Sequence, residues 1–213
     1  MTPIPNPVRI VRLMHIDNLS ICLQRGGMHA PNNAPADGLI YRTIHNIEIQ
    51  QQRQSRHIPC GPGGTIHDYV PFYFGVRSPM LYQLCKGQVE NYDEGQDPLI
   101  YAVSSAQTVV QANMPFVFSD GHGIAAYTEW YDDLSDLTNV DWDTVDAKYW
   151  YCTIDDPDRQ RRKQAEFLVY KFFPWGLVQE IDVYNDMTKQ KVLGILAQYG
   201  VTTPVQIRRQ WYY

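Results

Sequence analysis

The apolar residues of this chain fall in short, strand-length runs that outnumber its helical patterns, and not every interval between consecutive runs carries a helix. That order constrains the fold more than any single motif, because a parallel, doubly wound sheet needs a crossover, usually a helix, between neighbouring strands. Strand patterns cover residues 8–14, 65–74, 98–104, 114–119, 164–169, 181–184 and 205–213. Helical patterns cover residues 15–24, 78–86, 105–112 and 189–199, and residues 44–56 read as a short helix or a mobile lid. Residues 28–39 are a Pro/Asn/Gly-rich loop, PCGPGG at 59–64 is a hard turn, and residues 120–158 are acidic and aromatic without strand composition. The expectation is an α+β fold in one domain, residues 1–213, a usual domain size.

The net charge of −5 creates no global basic field, so any nucleic-acid contact must use a local patch. Cys22, Cys60, Cys85 and Cys152 form no C-x-x-C pair, which suits free thiols in a reducing cytosol. The N-terminal sequence MTPIPNPVRI has no basic-then-apolar leader pattern, and no apolar run reaches membrane-spanning length. A soluble, cytoplasmic protein with no membrane contact is expected.

The stretch RRKQAEFLV, residues 161–169, holds the sharpest candidate site. In a strand, Ala165, Phe167 and Val169 share an apolar face, and Gln164, Glu166 and Leu168 share the other. A carboxylate on a half-apolar face is costly unless paired, and is a candidate for acid, base or cation-stabilising chemistry. Arg161, Arg162 and Lys163 precede it, and a second basic stretch holds Arg53 and Arg56. Such runs are usually solvated, but here Trp130, Tyr131, Trp142, Trp150 and several further tyrosines lie just upstream. Rings beside cations suit single-stranded nucleic acid, where bases stack and phosphates pair. His67, Asp68, Asp120 and His122 lack a recognisable metal spacing, so no metal is expected; the two histidines read as structural or pocket-lining. Neither a Walker A loop nor G-x-G-x-x-G nor G-x-S-x-G occurs.

Five motifs together, TIHDYVPFYF (65–74), RSPML (77–81), PFVFSDGH (115–122), RKQAE (162–166) and the closing WYY (211–213), resemble the DarT family of bacterial DNA ADP-ribosylating toxins, over nearly the whole chain. The resemblance implies an ADP-ribosyltransferase fold, with two facing, mainly antiparallel sheets around a split cleft for NAD. It implies transfer of ADP-ribose from NAD to thymidine in single-stranded DNA in a sequence-dependent way, which blocks replication. It also implies a macrodomain antitoxin, here a separate chain.

On this resemblance Glu166 maps to the catalytic glutamate of a Gln-x-Glu motif, and Gln164 to the residue that meets the incoming base. Arg53 maps to the arginine that assists thymine deprotonation and contacts NAD, with Arg56 as the alternative. Arg12, Leu13, Met14, Ile21, His29 and Tyr73 map to NAD-contacting positions, Tyr73 as the ring stacked on nicotinamide. R-L-M stands at 12–14 where some relatives have H-x-T. Residues 33–53 would cover NAD. Residues 120–166 would form the substrate loop, with Trp130, Tyr131, Trp150, Arg161, Arg162 and Lys163 toward DNA. Two other functions fit the same residues: a transferase acting on protein or RNA, and a catalytically silent single-strand-binding module. Burial of Trp130, Trp142 and Trp150 together would remove the argument for a DNA platform.

Overall fold

The computed structural model describes residues 2–213. In chain order the elements are β1 (Arg9–His15), α1 (Asp17–Gln24), β2 (Gly27–His29), α2 (Ile47–Ser55), β3 (Tyr69–Tyr73), α3 (Pro79–Cys85), β4 (Leu99–Ser105) and α4 (Ala106–Gln111). They continue with β5 (Phe116–Ser119), β6 (Trp130–Tyr131), α5 (Trp142–Asp146), α6 (Arg159–Lys163), β7 (Glu166–Tyr170), β8 (Phe172–Pro174), β9 (Glu180–Val183), α7 (Asp186–Gln198) and β10 (Val205–Ile207). Eight strands form one sheet in the order β10-β9-β4-β1-β3-β7-β5-β6, and β2 and β8 form a second, two-stranded sheet. Every pairing is antiparallel except β10 with β9. The α+β expectation therefore holds. The large sheet is continuous, and the expected division into halves takes the form of a near-break inside it.

That break lies between β1 and β3. Strands β1 and β4 pair over seven residues, and β3 and β7 over five, but β1 and β3 meet only at Val11 and Tyr73. Continuing the antiparallel register would set Leu13 opposite Pro71. Proline has no N–H to give to a ladder. The strands part there, and Arg12 Nη1 donates instead to the Pro71 carbonyl at 2.9 Å. The VPF in the strand run thus opens the sheet.

Both faces of the sheet are covered. Ala165, Phe167 and Val169 enter the main core with Ile10, Val70, Phe72 and Phe118, as the alternation implied. Leu168, on the other face, packs in a satellite cluster with Ile58, Ile66, Tyr69, Val117 and Trp130. Glu166 therefore sits in the interior. Among the described residues no helix is long and apolar enough to cross a membrane. The final strand is shorter than expected: residues 209–211 turn into a 3-10 helix, and Tyr212 is buried, its hydroxyl donating to the carbonyls of Leu99 and Asp182.

Candidate active site

Where β1 and β3 part, a cleft of about 560 Å³ opens, with Glu166 in its wall. Register aligns Val11, Tyr73 and Glu166 across three strands, so the carboxylate starts beside the split. Helix α2 closes over it. The Asn46 side chain caps this helix by accepting from Ile49 N at 3.1 Å. From the cap, Asn46, Ile49, Gln50 and Arg53 recur at helical spacing and line the cleft. Arg53 ends that face and meets Glu166 in a two-pronged pair, Nη1 to Oε1 at 2.9 Å and Nη2 to Oε2 at 2.7 Å. The backbone N–H of Gly123 adds a third donor to Oε1 at 3.1 Å. Only 1% of Glu166 and 6% of Arg53 is exposed.

Burial alone would push the Glu166 carboxyl up, but the Arg53 guanidinium, His122 and the Gly123 N–H outweigh it and hold it below the usual carboxylate value. Burial opposes charge on Arg53 as well, and Glu166 more than restores it. The pair is thus ionised at neutral pH. Burial and the adjacent Glu166 push the Tyr73 phenol up, which keeps it neutral. His29, His45, His67 and His122 also face the cleft, and burial lowers each below the usual histidine value. At neutral pH the charges lining the cleft are therefore Arg12, Arg42, Arg53 and one carboxylate, Glu166. Arg42 pairs with Asp17 and Glu94, whereas Arg12 meets no carboxylate among the described residues.

The structure brings most of the expected cofactor-binding residues together: Arg12, Leu13, Met14, His29, Arg53 and Tyr73 all line this cleft. Ile21 is not among the lining residues. Helix α1 turns Asn18 and Cys22, four residues apart, toward the cleft, and Ile21, the neighbour of Cys22, points about 100° round the helix from it. Asn18 was missed in the sequence; it ties down the segment ahead of α2 by donating to Arg42 O at 2.8 Å and accepting from Arg42 N at 2.7 Å. Of the two candidate arginines, Arg53 is the one that reaches Glu166. Arg56 leaves the helix in extended conformation and donates to the carbonyls of Ala125 and Ala126.

The expected DNA side is rearranged. Gln164 lines the cleft but lies at the C-cap of α6, off the strand, with its amide donating to Gln160 O. Lys163 is 2% exposed and turned inward; Nζ donates to the carbonyls of Val145 and Ala147, and burial lowers its pKa to about 8. Arg161 bridges Asp158 and Asp120, and Arg162 bridges Asp141 and Asp156. These three residues therefore spend their donors on protein oxygens rather than presenting a free cationic patch. Trp130 and Trp142 are core residues, and Tyr131 is stacked on Phe118. Trp150 is half-buried, donating to the Tyr213 hydroxyl at 2.5 Å. Within residues 120–166 the exposed rings are Tyr127, Tyr149 and Tyr151, each more than 60% accessible.

No metal centre takes shape from His67, Asp68, Asp120 and His122. Asp68 caps its own turn through Thr65 N, Asp120 accepts from Arg161, and no group of three His, Cys, Asp or Glu among the described residues is placed to hold an ion.

A buried, triply hydrogen-bonded carboxylate beside a split sheet suits stabilisation of a cation formed within the cleft. Residues 11–213 match the family model described as "ssDNA thymidine ADP-ribosyltransferase, DarT". The chain belongs to the DarT family. It is 44% identical, over 211 residues and 98% of each chain, to the DNA ADP-ribosyl transferase of Thermus sp. strain 2.9. Two solved structures of Thermus sp. 2.9 DarT share its fold. The complex with ADP-ribosylated ssDNA has a TM-score of 0.93 at 43% identity, covering 100% of this chain and 99% of the other. The complex with NAD+ has a TM-score of 0.88 at 42% identity, covering 99% and 100%. The DarT assignment rests on sequence and fold together.

Proposed function

We propose that this chain transfers the ADP-ribosyl group of NAD+ to a thymidine base of single-stranded DNA, with Glu166 as the catalytic carboxylate. The observation that carries the residue assignment is the Glu166 carboxylate, held ionised by Arg53 and Gly123 at the split between β1 and β3. In the reaction the bond from ribose C1′ to nicotinamide breaks, and its electron pair leaves with the ring. C1′ becomes cation-like, and a fixed anion nearby stabilises it without reorganising solvent. C1′ then bonds to a thymine nitrogen, whose proton is released. Arg12 and the Leu13–Met14 backbone border the nicotinamide end, Tyr73 supplies a neutral ring, and the cationic lining suits the diphosphate. Arg53 spends two of its five N–H donors on Glu166, which leaves donors for a thymine held beside it.

Incubation with NAD+ and defined oligonucleotides, followed by mass spectrometry of the DNA, tests this. An ADP-ribose adduct on thymidine and stoichiometric free nicotinamide are expected. Adduct on protein or RNA alone would overturn the choice of acceptor, and DNA binding without nicotinamide release would point to a silent binding module.

The exposed tyrosines take over the stacking role expected of the tryptophans. Each base–aromatic stack is worth about 1–3 kcal/mol. Replacing Tyr149 and Tyr151 by Ala should raise the KM for DNA at least about tenfold, with the KM for NAD+ unchanged. Trp142→Ala should instead lower stability by about 3–5 kcal/mol in urea titrations. An unchanged KM for DNA in the double tyrosine variant would remove these rings from the platform.

A cytoplasmic toxin role, with a separate macrodomain antitoxin that removes the adduct, is supported by the family resemblance. Expression in a bacterial host should arrest replication, and co-expression of a macrodomain hydrolase should restore growth.

A further inference from the structure

Two arginines outside the Glu166 pair grip one loop, residues 120–128, from opposite sides. From α6, Arg161 Nη1 donates to Asp120 Oδ1 at 2.8 Å, while Nε and Nη2 hold Asp158, each at 2.8 Å. Its backbone carbonyl also accepts from His122 N at 2.9 Å. The guanidinium lies so close to Gly121 that a Cβ there would stand 2.4 Å from Nη1. Within the loop, Thr128 Oγ1 donates to His122 O at 2.7 Å, and Asp120 Oδ1 also accepts from Glu129 N at 3.0 Å. From the end of α2, Arg56 Nη2 donates to the carbonyls of Ala125 and Ala126 at 3.1 and 3.3 Å. Between these grips lies Gly123, whose N–H reaches Glu166 and whose Cα is hemmed in by Ile66, Trp130 and the carboxylate itself.

We propose that Arg161, through Asp120, is a positioning residue for the reaction: it fixes the 120–128 loop so that the Gly123 N–H stays on Glu166 Oε1, with Arg56 bracing the loop's other side. This rests on Glu166 being the catalytic carboxylate. It replaces the phosphate-contact role that the sequence suggests for Arg161. A cation whose three nitrogens all donate to Asp120 or Asp158 is poorly placed to take up a phosphate, and only 11% of its side chain is accessible.

The two roles separate in kinetics. The charged or titratable groups facing Glu166 are Arg53 from α2, His122 from the loop and Tyr73 from β3. Losing the Gly123 N–H removes one group that favours the ionised carboxylate, so the acid limb of the rate profile should move to higher pH. Arg161→Gln and, separately, Asp120→Asn are assayed on a thymidine oligonucleotide across pH. Both are expected to lower kcat about tenfold or more, leave the KM for DNA within about twofold, and shift the acid limb upward. Arg161→Lys should recover part of kcat.

Asp120→Asn is the discriminating variant, since it frees Arg161 without removing it. If Arg161 contacts phosphate, Arg161→Gln raises the KM for DNA and Asp120→Asn leaves kcat intact or tightens DNA; either result overturns the proposal. If Arg161→Gln fails to fold, Asp120→Asn alone decides. Failure of the underlying reading would look different: Glu166→Gln would keep wild-type turnover, whatever the loop variants do.

Discussion

Glu166→Gln is expected to lower the rate of adduct formation by at least about 10²–10³-fold, the usual loss when a preorganised electrostatic stabiliser of a developing charge is removed. Gln keeps the shape and one acceptor oxygen, so the loss would report charge. The same substitution should be visible in stability. Arg53 is buried and ionised against Glu166, and breaking a buried pair by removing one partner costs about 3–5 kcal/mol, because the other charge is left uncompensated. Glu166→Ala, which also opens a cavity and leaves Arg53 without an acceptor, should fall at or beyond the upper end of that range. The double variant Glu166→Gln/Arg53→Met separates the two effects: it should regain most of the stability in urea titrations and none of the activity. Wild-type turnover in Glu166→Gln would mean that another group carries the cation.

The strand periodicity around this glutamate was legible because it follows from backbone geometry alone. Ala165, Phe167 and Val169 had to share a face, and they do enter one core. The sequence could also show that Glu166 was out of place, since an apolar strand run makes any carboxylate conspicuous. It could not show how the charge is answered. The pairing partner is 113 residues away, and nothing local distinguishes Arg53 from Arg56; the helix face running from Asn46 carries Arg53, not Arg56, to the carboxylate. Alternation puts Gln164 on the strand, whereas α6 runs directly into β7 and leaves it at the helix end. Arg161 and Arg162 carbonyls accept the N–H groups of Gln164 and Ala165, so the chain is still turning where alternation suggests it is extended.

The basic run misled for a related reason. Charge is readable from sequence, but its partners, Asp120, Asp141, Asp156 and Asp158, come together only in the fold. Likewise, Trp130 and Trp142 carry the same composition signal whether they stack on bases or fill a core. Two sequence signals do bear on the site. Pro71 within a strand run marks a place where a ladder must break. The glycines flanking His122 mark a close backbone approach, which the contact of Gly123 with Glu166 explains.

Arg53→Met should reverse the sign of a pH dependence. In the wild type the Glu166 carboxyl is held below its unfolded value, about 4.3. The stability it contributes is present above that value and is lost as pH falls through the lower, folded one. Met fills a similar space with no charge. The carboxyl then keeps its burial and loses its main counterion, so its folded value rises above the unfolded one. A group raised in this way contributes stability below its unfolded pKa and loses it as pH increases toward the folded one. Between about pH 4 and 7, urea midpoints of the variant should therefore fall with pH, where those of the wild type rise or stay level. Activity should follow the same group. Near neutrality part of the variant's Glu166 is protonated and cannot stabilise a cation, so kcat should be low and climb toward alkaline pH, with the acid limb displaced upward. The plateau should stay below that of the wild type if Arg53 also acts on the base. Two parallel stability profiles, with the acid limb unmoved, would mean that the Gly123 N–H and His122 suffice to keep Glu166 ionised, and that Arg53 serves the reaction in some way other than holding its charge.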